Sequence, residues 1–387
     1  MEKKYFYFQP QYVSKFKCDG SKCDAHCCNE QWNILIDEET FKQYEQLHSP
    51  EIISQIKFHS DKGGHFIEFG ERKYCPFLNE KKLCSLQLKY GENFLSKTCA
   101  TYPRITNGFG YFFERSLILS CPVAAEMILF SQEPMTFEFV EVPEKIHSLG
   151  GKIFLQKMRA TDELTEHFIE IQVAMISILQ ERTLSIDQRL IVLGFFVDRL
   201  AEIFSDFDAD ALRKLIAAYE SKKFLAEQVP LMLQSISFDA EKFIKLMRDI
   251  PEKIFGGATF FRNEQFLETF NDAVARFSEK KIFVAEHASF FENFLVNELF
   301  LSVFPWKFDG SIAQNFSAFV TEYKFFELII FSVSLKGFSG KKDFIETAGW
   351  FTTRFDHTKE FKRRIFSSIK DSDEPFALMG SLLEGSD

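Results

Sequence analysis

The chain has 387 residues, of which 46% are hydrophobic and 26% charged, a mixture that is ordinary for a globular protein and excludes wholesale disorder and fibrous repeats. Its formal net charge of −10 argues against non-specific binding to nucleic acid, which depends on Lys and Arg contacts with phosphates. Phenylalanine is unusually frequent, with 49 residues against 10 Tyr and 3 Trp, and we interpret the excess as core-filling side chains.

The first residues, MEKKYFYFQPQYVSKFKC, contain no uninterrupted apolar segment followed by a small-residue cleavage site, which an export signal would need. The most apolar stretches, at 190–197 and 328–335, are shorter than the ~18 residues of a membrane-spanning helix. We therefore expect a cytoplasmic protein with no membrane partner and no nucleic-acid partner.

The cysteines are confined to the first third of the chain. They are Cys18, Cys23, Cys27, Cys28, Cys75, Cys84, Cys99 and Cys121. Disulfides belong to oxidising compartments and to small domains, so thiolates that bind a metal ion or an iron–sulfur cluster suit this chain better. We predict that these eight cysteines are metal ligands and that only part of them binds any one centre.

The spacing of the cysteines leaves the metal open, because zinc and iron–sulfur clusters both prefer soft sulfur ligands. The first four cysteines read C-x4-C-x3-C-C, which matches neither the zinc-ribbon repeat nor the ferredoxin run. The C-x3-C-x2-C signature of radical S-adenosylmethionine enzymes is also absent, since its third position would be Glu30. The usual radical mechanism is therefore not expected.

Short strands and helices are predicted between the cysteines. Alternating apolar residues predict a strand over Trp32–Asp37, and Asp37 then resembles the N-cap of a helix. A second strand is predicted over His65–Phe69, after a Gly-Gly turn. Pro122 fits the first position of a helix, which would place Cys121 where the helix dipole lowers the pKa of a thiol.

The rest of the chain is predicted to be helical after a connection over 131–155, which contains a strand candidate at 135–142. Ser185 and Gln188 match a capping box at the start of one helix. Further helices are predicted over 262–280, 286–303, 312–336 and 341–368. The fold class is therefore mainly α: a small loop-rich α+β cysteine-cluster module at residues 1–135, followed by an all-helical domain at residues 136–387 that binds a substrate or partner.

A few polar residues are further candidates for chemistry, because no Rossmann, P-loop, GxSxG or HExxH motif is present. Arg104 lies five residues after Cys99, and a guanidinium there would offset the charge of a thiolate-held cluster and bind a carboxylate. Arg354 and His357 share one face of a predicted helix. We take Arg104, Arg354 and His357 as candidate catalytic residues; a turn-capping Arg and a surface Arg beside a partly buried His are the alternatives.

The combined motifs resemble the flagellin lysine N-methylases, a branch of a cysteine-cluster superfamily of zinc- or iron-chelating proteins. The motifs shared with the superfamily are Cys23-x3-Cys27-Cys28, Cys75-Pro76-Phe77-Leu78, Leu83-Cys84 and Cys99-Ala100-Thr101-Tyr102-Pro103-Arg104. The features typical of the branch are Cys18, Trp32 and Cys121-Pro122. The later segments that look like the helical half of the family are Glu292–Asn297, Phe304-Pro305 and Arg354-x2-His357.

The resemblance implies a protein-lysine N-methyltransferase that acts on flagellin. It further implies S-adenosylmethionine as the methyl donor and a cysteine-bound iron–sulfur cluster, of the 4Fe-4S type, with zinc as the alternative metal. Arg104 and Tyr102 are then the expected cofactor-binding residues, with Arg104 on the carboxylate of the donor. His357 would accept the proton of the lysine.

Two other functions are compatible with the same residues. A non-catalytic zinc- or iron-binding adaptor would use the cysteines only for folding energy and the helical domain for a protein partner. Its closed zinc site predicts a colourless protein that does not bind S-adenosylmethionine. Electron transfer by a cluster predicts reversible redox chemistry without methyl transfer.

Overall fold

The computed structural model describes residues 4–18, 20, 23, 26–29, 34–72, 74–109, 112–143, 162–255, 264–306, 311–337, 340–355 and 379–384. Two compact units are present. The first comprises Met1–Ala125 and Thr136–Phe154, and the second comprises Glu126–Met135 and Leu155–Asp387. The predicted fold class is confirmed, because a mixed α+β unit that carries the cysteines is followed by a helical unit.

The first unit contains two small sheets. Their strands are β1 (Lys4–Pro10), β2 (Leu35–Ile36), β3 (Ile56–His59), β4 (Gly64–Ile67), β5 (Arg104–Gly108), β6 (Phe113–Leu117) and β7 (Phe137–Pro143). One sheet has the order β5-β6-β1-β7, in which only the β1–β6 pair is parallel. The other is the antiparallel sheet β2-β4-β3. The strand predicted in the connection is therefore present as β7, and it pairs with the first strand of the chain.

Side-chain packing in the larger sheet is centred on the strand β1. Tyr7 is fully buried, and its ring stacks on Phe113 of the neighbouring strand at a centroid distance of 5.3 Å. The guanidinium of Arg115, also buried, lies 4.2 Å from the Tyr7 ring centroid and donates to Thr106. The sheet thus buries a cation by placing it against an aromatic face, where the ring quadrupole compensates part of the lost hydration.

Short helices fill the spaces between the strands of the first unit. They are α1 (Gln11–Lys15), α2 (His26–Asn29), α3 (Glu38–Gln46), α4 (Pro50–Ile53), α5 (Ser85–Tyr90), α6 (Lys97–Thr101) and α7 (Pro122–Leu129), the last of which ends in the second unit. Asp37 caps α3 by accepting from Thr40, and α7 begins at Pro122, as predicted. Strand β2 is shorter than predicted, and Trp32 lies outside the described residues.

The second unit is built from longer helices. They are α8 (Asp162–Leu179), α9 (Ile186–Ser205), α10 (Ala209–Glu220), α11 (Lys222–Ser235), α12 (Ala240–Phe255), α13 (Glu264–Ala275), α14 (Phe277–Glu286), α15 (Ala288–Leu301), α16 (Ile312–Leu335), α17 (Lys341–Phe355) and α18 (Met379–Leu382). The capping box of Ser185 and Gln188 is confirmed at the start of α9. The single helix predicted over 262–280 is wrong, because the backbone leaves helical geometry at Arg276, whose side chain bridges Asp272 and Glu279.

Helices α15 and α16 form the centre of the second unit. Every residue of α16 from Asn315 to Val333 is buried, so this helix has no solvent face in its middle. Phenylalanine fills much of the space between the two helices, as shown by Phe294 and Phe326, whose rings stack 3.7 Å apart. Among the described helices, none combines the length and the apolar character that crossing a membrane requires.

Burying α15 and α16 completely also buries their charged residues. Glu292 of α15 accepts from Arg182 and from Arg189, each at 2.8 Å. Arg189 is itself buried and donates to the carbonyl oxygen of Leu179 at the end of α8. The carboxylate of Glu292 is therefore neutralised by two guanidinium groups, one from the loop between α8 and α9 and one from the first turns of α9.

A second buried group of charges surrounds α16. Lys324 donates to Asp187 at 2.5 Å and to Glu327 at 3.0 Å, while Lys280 of α14 lies 2.7 Å from Glu327. Burial opposes the ionisation of Glu327, but the two ammonium groups outweigh it and lower its pKa to about 2. Asp187 also accepts from the backbone N–H of Glu384 at 3.2 Å. Three helices, α9, α14 and α16, and the last described residues thus meet at one set of charges.

Removing the buried carboxylate of Glu292 tests this arrangement. We expect Glu292→Gln to lower the free energy of unfolding by about 3–5 kcal/mol, because a buried guanidinium would lose its counter-charge. Glu346→Gln is the matched control, since Glu346 is paired with Lys342 on the surface and a change within about 0.5 kcal/mol is expected. Urea denaturation of both variants measures the difference, and equal effects would contradict the prediction.

Candidate functional site

Four of the cysteines pack in one core of the first unit, and a fifth, Cys27, adjoins them through Cys28. Cys27 and Cys28 belong to α2, and their sulfur atoms are 3.7 Å apart. The backbone of Cys75 joins them, because its N–H donates to the carbonyl oxygen of Cys28 at 2.7 Å. Cys84 immediately precedes α5, and Cys99 is the third residue of α6. Four short segments of the chain therefore bring Cys28, Cys75, Cys84 and Cys99 to the same core.

Two N-caps position Cys99. The hydroxyl of Ser96 accepts from the backbone N–H of Cys99 at 3.3 Å, which caps α6. The carboxylate of Asp37 caps α3 and also accepts from the backbone N–H of Lys97 at 2.8 Å. One carboxylate therefore satisfies the first turns of two helices, and the helix that carries Cys99 is held against β2 and α3.

Cys28 is the middle member of a row of three thiols. Its hydrogen bonds with Cys27 and then Cys75 raise its pKa strongly, which keeps Cys28 protonated. The same hydrogen bonds are the main reason that the pKa values of Cys27 and Cys75 are lowered. A proton on Cys28 thus favours ionisation of the thiols beside it, an arrangement in which a cation could replace the proton.

The other two thiols of this group are more difficult to ionise. Burial raises the pKa of Cys99 to about 12, although the Ser96 hydroxyl opposes the shift. Burial also raises the pKa of Cys84, and the backbone N–H groups of α5 oppose it. Negative charge on Cys75 and Cys27 disfavours ionisation of both. The five thiols therefore interact electrostatically as one group, which we call the inner thiols: Cys27, Cys28, Cys75, Cys84 and Cys99.

The remaining cysteines, which we call the outer thiols, are Cys18, Cys23 and Cys121. Burial raises the pKa of Cys121 to about 12, and charge on Cys23 and Cys27 adds to the shift. The backbone N–H groups at the start of α7 do lower this pKa, as predicted for a helix N-terminus, but desolvation outweighs them. The predicted lowering of the Cys121 pKa is therefore wrong. Cys27 interacts with Cys121 and with the inner thiols, so it connects the two groups.

Two residues predicted to bind a cofactor lie with the outer thiols. Arg104 donates to the carbonyl oxygen of Phe16 at 3.2 Å, and its guanidinium lies 5.1 Å from the Phe16 ring. Burial lowers the pKa of Arg104, and negative charge on Cys18 opposes this effect more than any other group. Arg104 is thus a half-buried cation beside sulfur atoms, and part of its guanidinium is held by the backbone.

Tyr102 is more deeply buried. Its hydroxyl is 3.0 Å from the hydroxyl of Ser120, the residue that precedes Cys121. Burial raises the pKa of Tyr102 well above its usual value, and charge on Cys121 contributes next. Tyr102 therefore presents a neutral hydroxyl close to the outer thiols.

The chemistry of this donor set fits a sulfur-ligated metal centre. Thiolates are the ligands that zinc and iron–sulfur clusters prefer, and the described structure brings all eight cysteines into two neighbouring groups. Within the described ranges, no set of three His, Cys, Asp or Glu side chains has the geometry to hold a metal ion as it stands. The sulfur atoms are gathered, but their side chains would have to turn toward a common point to bind.

The other predicted catalytic residues, Arg354 and His357, are distant from the cysteines in sequence and belong to the second unit. Arg354 belongs to α17 of the second unit, and its guanidinium lies 5.7 Å from the Trp350 ring. His357 lies outside the described residues. The shared helix face of Arg354 and His357 therefore stays a prediction.

Sequence reasoning missed the residues that hold the cysteines in place. Ser96 could have been recognised as an N-cap, because a Ser directly before a short helical segment is a common start signal. The second role of Asp37, at the first turn of α6, has no local signal, since the two segments are 60 residues apart. The buried Arg115 was also missed, because its alternation within β6 does not reveal that both faces of the strand are covered.

A family model described as the FliB lysine N-methylase C-terminal domain matches residues 172–383. The chain is 32% identical over 137 residues to Lysine-N-methylase of Salmonella typhimurium strain LT2, a match that covers 33% of this chain and 33% of that protein. It is 31% identical over 134 residues to Flagellar biosynthetic protein FliU of Salmonella muenchen, covering 33% of this chain and 79% of that protein. The match thus spans a third of the first relative's length. No solved structure matches the chain.

The burial of the thiols predicts an order of chemical modification. After reduction and chelation at about pH 8, iodoacetamide should modify the exposed Cys18 well before Cys99 and Cys121, since the thiolate is the nucleophile. Peptide mass spectrometry over time measures the order. Protein unfolded in urea is the control, in which all eight cysteines should react at similar rates. Equal rates for Cys18, Cys99 and Cys121 in folded protein would contradict the structure.

Proposed function

Since the chain belongs to the FliB lysine N-methylase family, we propose that it is a protein-lysine N-methyltransferase whose substrate is flagellin. The family match over residues 172–383 carries the proposal. The names of the relatives, a lysine N-methylase and a flagellar biosynthetic protein, support the reaction and the substrate, respectively. The dense set of thiols suits a reducing compartment, and we propose that the protein is cytoplasmic.

We further propose that the cysteines hold an iron–sulfur cluster and that S-adenosylmethionine is the methyl donor. The inner and outer thiols are the candidate ligands, and the convergence of eight sulfur donors within one unit supports a metal centre there. A bound cluster would supply a Lewis-acidic iron for the amino and carboxylate groups of the donor. Arg104, a half-buried cation beside Cys18, is suited to bind that carboxylate as well.

The proposed reaction is a polar displacement at the donor's methyl group. The lysine nitrogen forms a bond to the methyl carbon, the carbon–sulfur bond breaks, and the nitrogen releases one proton. The lysine must first be neutral, and desolvation in a closed site lowers the pKa of an amine in the required direction. Alignment of the donor with the amine contributes several kcal/mol to the lowering of the barrier. We propose Tyr102 as part of the donor site and His357 as the proton acceptor.

One observation favours a second candidate, a structural zinc site in a non-catalytic adaptor. The sulfur atoms of Cys27 and Cys28 are 3.7 Å apart. Two ligands of one tetrahedral zinc ion are about 3.8 Å apart when each zinc–sulfur bond is about 2.3 Å. The spacing of this adjacent pair therefore suits two ligands of a single ion, and the metal analysis described next separates the two candidates.

The metal content distinguishes a cluster from a structural zinc. We expect anaerobically purified protein to be brown and to contain about four iron atoms and four acid-labile sulfides per chain. Chelation of the iron should abolish both the colour and methyl transfer to flagellin. A colourless protein with about one or two zinc ions and no sulfide would support the adaptor instead.

A cysteine variant tests whether the thiols serve the reaction. We expect Cys99→Ser to lose at least about 100-fold in methyl transfer to flagellin, because an alcohol is a poor ligand for a site built from soft thiolates. Lys89→Ala, an exposed change in the same unit, is the control and should retain activity. Circular dichroism would check that both variants are folded. Full activity of a folded Cys99→Ser variant would contradict the proposed role of the thiols.

A further inference from the structure

Three helices of the second unit, α9, α10 and α11, enclose an open cleft of about 490 Å³. The side chains that decide its chemistry are Phe195, Asp198, Ile203, Leu215, Tyr219 and Phe224. Most of this surface is aromatic or aliphatic, and the charged residues that line it are Asp198, Arg199 and Lys214. The cleft is formed entirely within the helical unit and contains none of the cysteines.

The aromatic walls of the cleft are held in place by ring contacts. The rings of Tyr219 and Phe224 lie 5.3 Å apart at an angle of 50°, so two faces are turned partly toward each other. Phe196, which is fully buried, packs edge-on against Tyr219 at 5.1 Å. Tyr219 therefore lies between the core and the cleft, and its contacts with Phe196 and Phe224 fix its orientation without a ligand.

The carboxylate of Asp198 lies at this aromatic surface. Within the described part of the chain, no side chain forms a salt bridge or hydrogen bond with Asp198, and the neighbouring Arg199 is paired with Glu202 instead. Burial raises the pKa of Asp198, Glu202 adds to the shift, and Arg199 only partly opposes it. Asp198 also raises the pKa of Tyr219, which places the two polar groups near each other. An anion is thus exposed beside aromatic faces without a counter-ion.

The charge around the cleft also favours a cation. From Asp198 to Glu220 the chain has six acidic and three basic residues. Two of the basic residues form salt bridges: Arg199 pairs with Glu202, and Arg213 pairs with Asp210. Lys214 lies at the wall of the cleft; its charge helps to lower the pKa of Asp210, whereas the cation that acts on the pKa of Asp198 is Arg199.

We propose that this cleft binds a lysine side chain of the protein substrate, either unmodified or methylated at its nitrogen. Asp198 would pair with the ammonium group, while Phe195, Tyr219 and Phe224 would cover the methylene groups and face the positive charge. Aromatic faces next to a carboxylate are suited to alkylammonium ions because the ring quadrupole and the anion attract the same charge. The inference rests on the proposed function, which brings lysine-bearing protein to this chain, and it assigns a binding site to the helical unit.

Titration calorimetry with synthetic peptides tests the site. The probe is a short, otherwise neutral peptide with one central lysine, compared with the same peptide bearing acetyl-lysine or trimethyl-lysine. The protein is the full chain with its metal, titrated as wild type, Asp198→Asn and the control Asp206→Asn, which removes an equal charge outside the cleft. We expect the lysine peptide to bind the wild type, and Asp198→Asn to weaken binding about tenfold because a charge-assisted contact is lost. Asp206→Asn should bind like the wild type.

Several results would overturn the inference. Equal binding of the lysine and acetyl-lysine peptides would show that charge is not recognised, and equal affinity of Asp198→Asn and wild type would exclude the carboxylate. Tighter binding of the trimethyl-lysine peptide would support the site and assign it to the methylated product; tighter binding of lysine would support it and assign it to the substrate. Because the titration needs no methyl donor, binding without methyl transfer would contradict the proposed function alone. If the wild type transfers methyl groups but Asp198→Asn binds the lysine peptide as tightly as the wild type, this site is contradicted and the proposed function is not.

Discussion

The second unit depends on neutralising the charges that its central helices bury. A helix that is covered on every side must take its charged residues into the core, where an unpaired charge is strongly unfavourable. Glu292, Lys324 and Glu327 are the charges concerned, and their partners come from the α8–α9 loop, from the start of α9 and from α14. The ion pairs therefore specify which helices surround α15 and α16, while the phenylalanine packing alone would tolerate several arrangements.

The first unit is organised differently. It brings together thiols from short helices and loops that bury little apolar surface themselves. Because these helices and strands are short, their positions are fixed by N-cap hydrogen bonds. Asp37 joins the first turns of α3 and α6, and Ser96 fixes the turn that carries Cys99. The result is two neighbouring groups of sulfur atoms connected through Cys27, with Arg104 on the side of the outer thiols. Asp37, which is far from Cys99 in sequence, can thus control the geometry of the helix that carries this thiol.

Local signals were predictable from the sequence, and long-range electrostatics were not. The cap at Asp37, the capping box at Ser185 and the helix start at Pro122 depend on a few adjacent residues and were found. The grouping of the thiols was expected from their number, but the pKa of Cys121 was predicted with the wrong sign because helix dipoles are visible in a sequence and burial is not. The carboxylate of Asp198 gave no signal at all, since its aromatic neighbours come from three helices.

The hydrogen bond between Asp187 and the backbone of Glu384 has a consequence for protein synthesis. Asp187 is also the partner of Lys324, so one carboxylate joins residues that leave the ribosome at widely separated times. A nascent chain that ends before α18 contains both central helices but not the segment that completes this junction. Contacts across such long intervals form late, and until then the partly made unit exposes apolar surface. The helical unit should accordingly depend on chaperones more than its high helix content suggests.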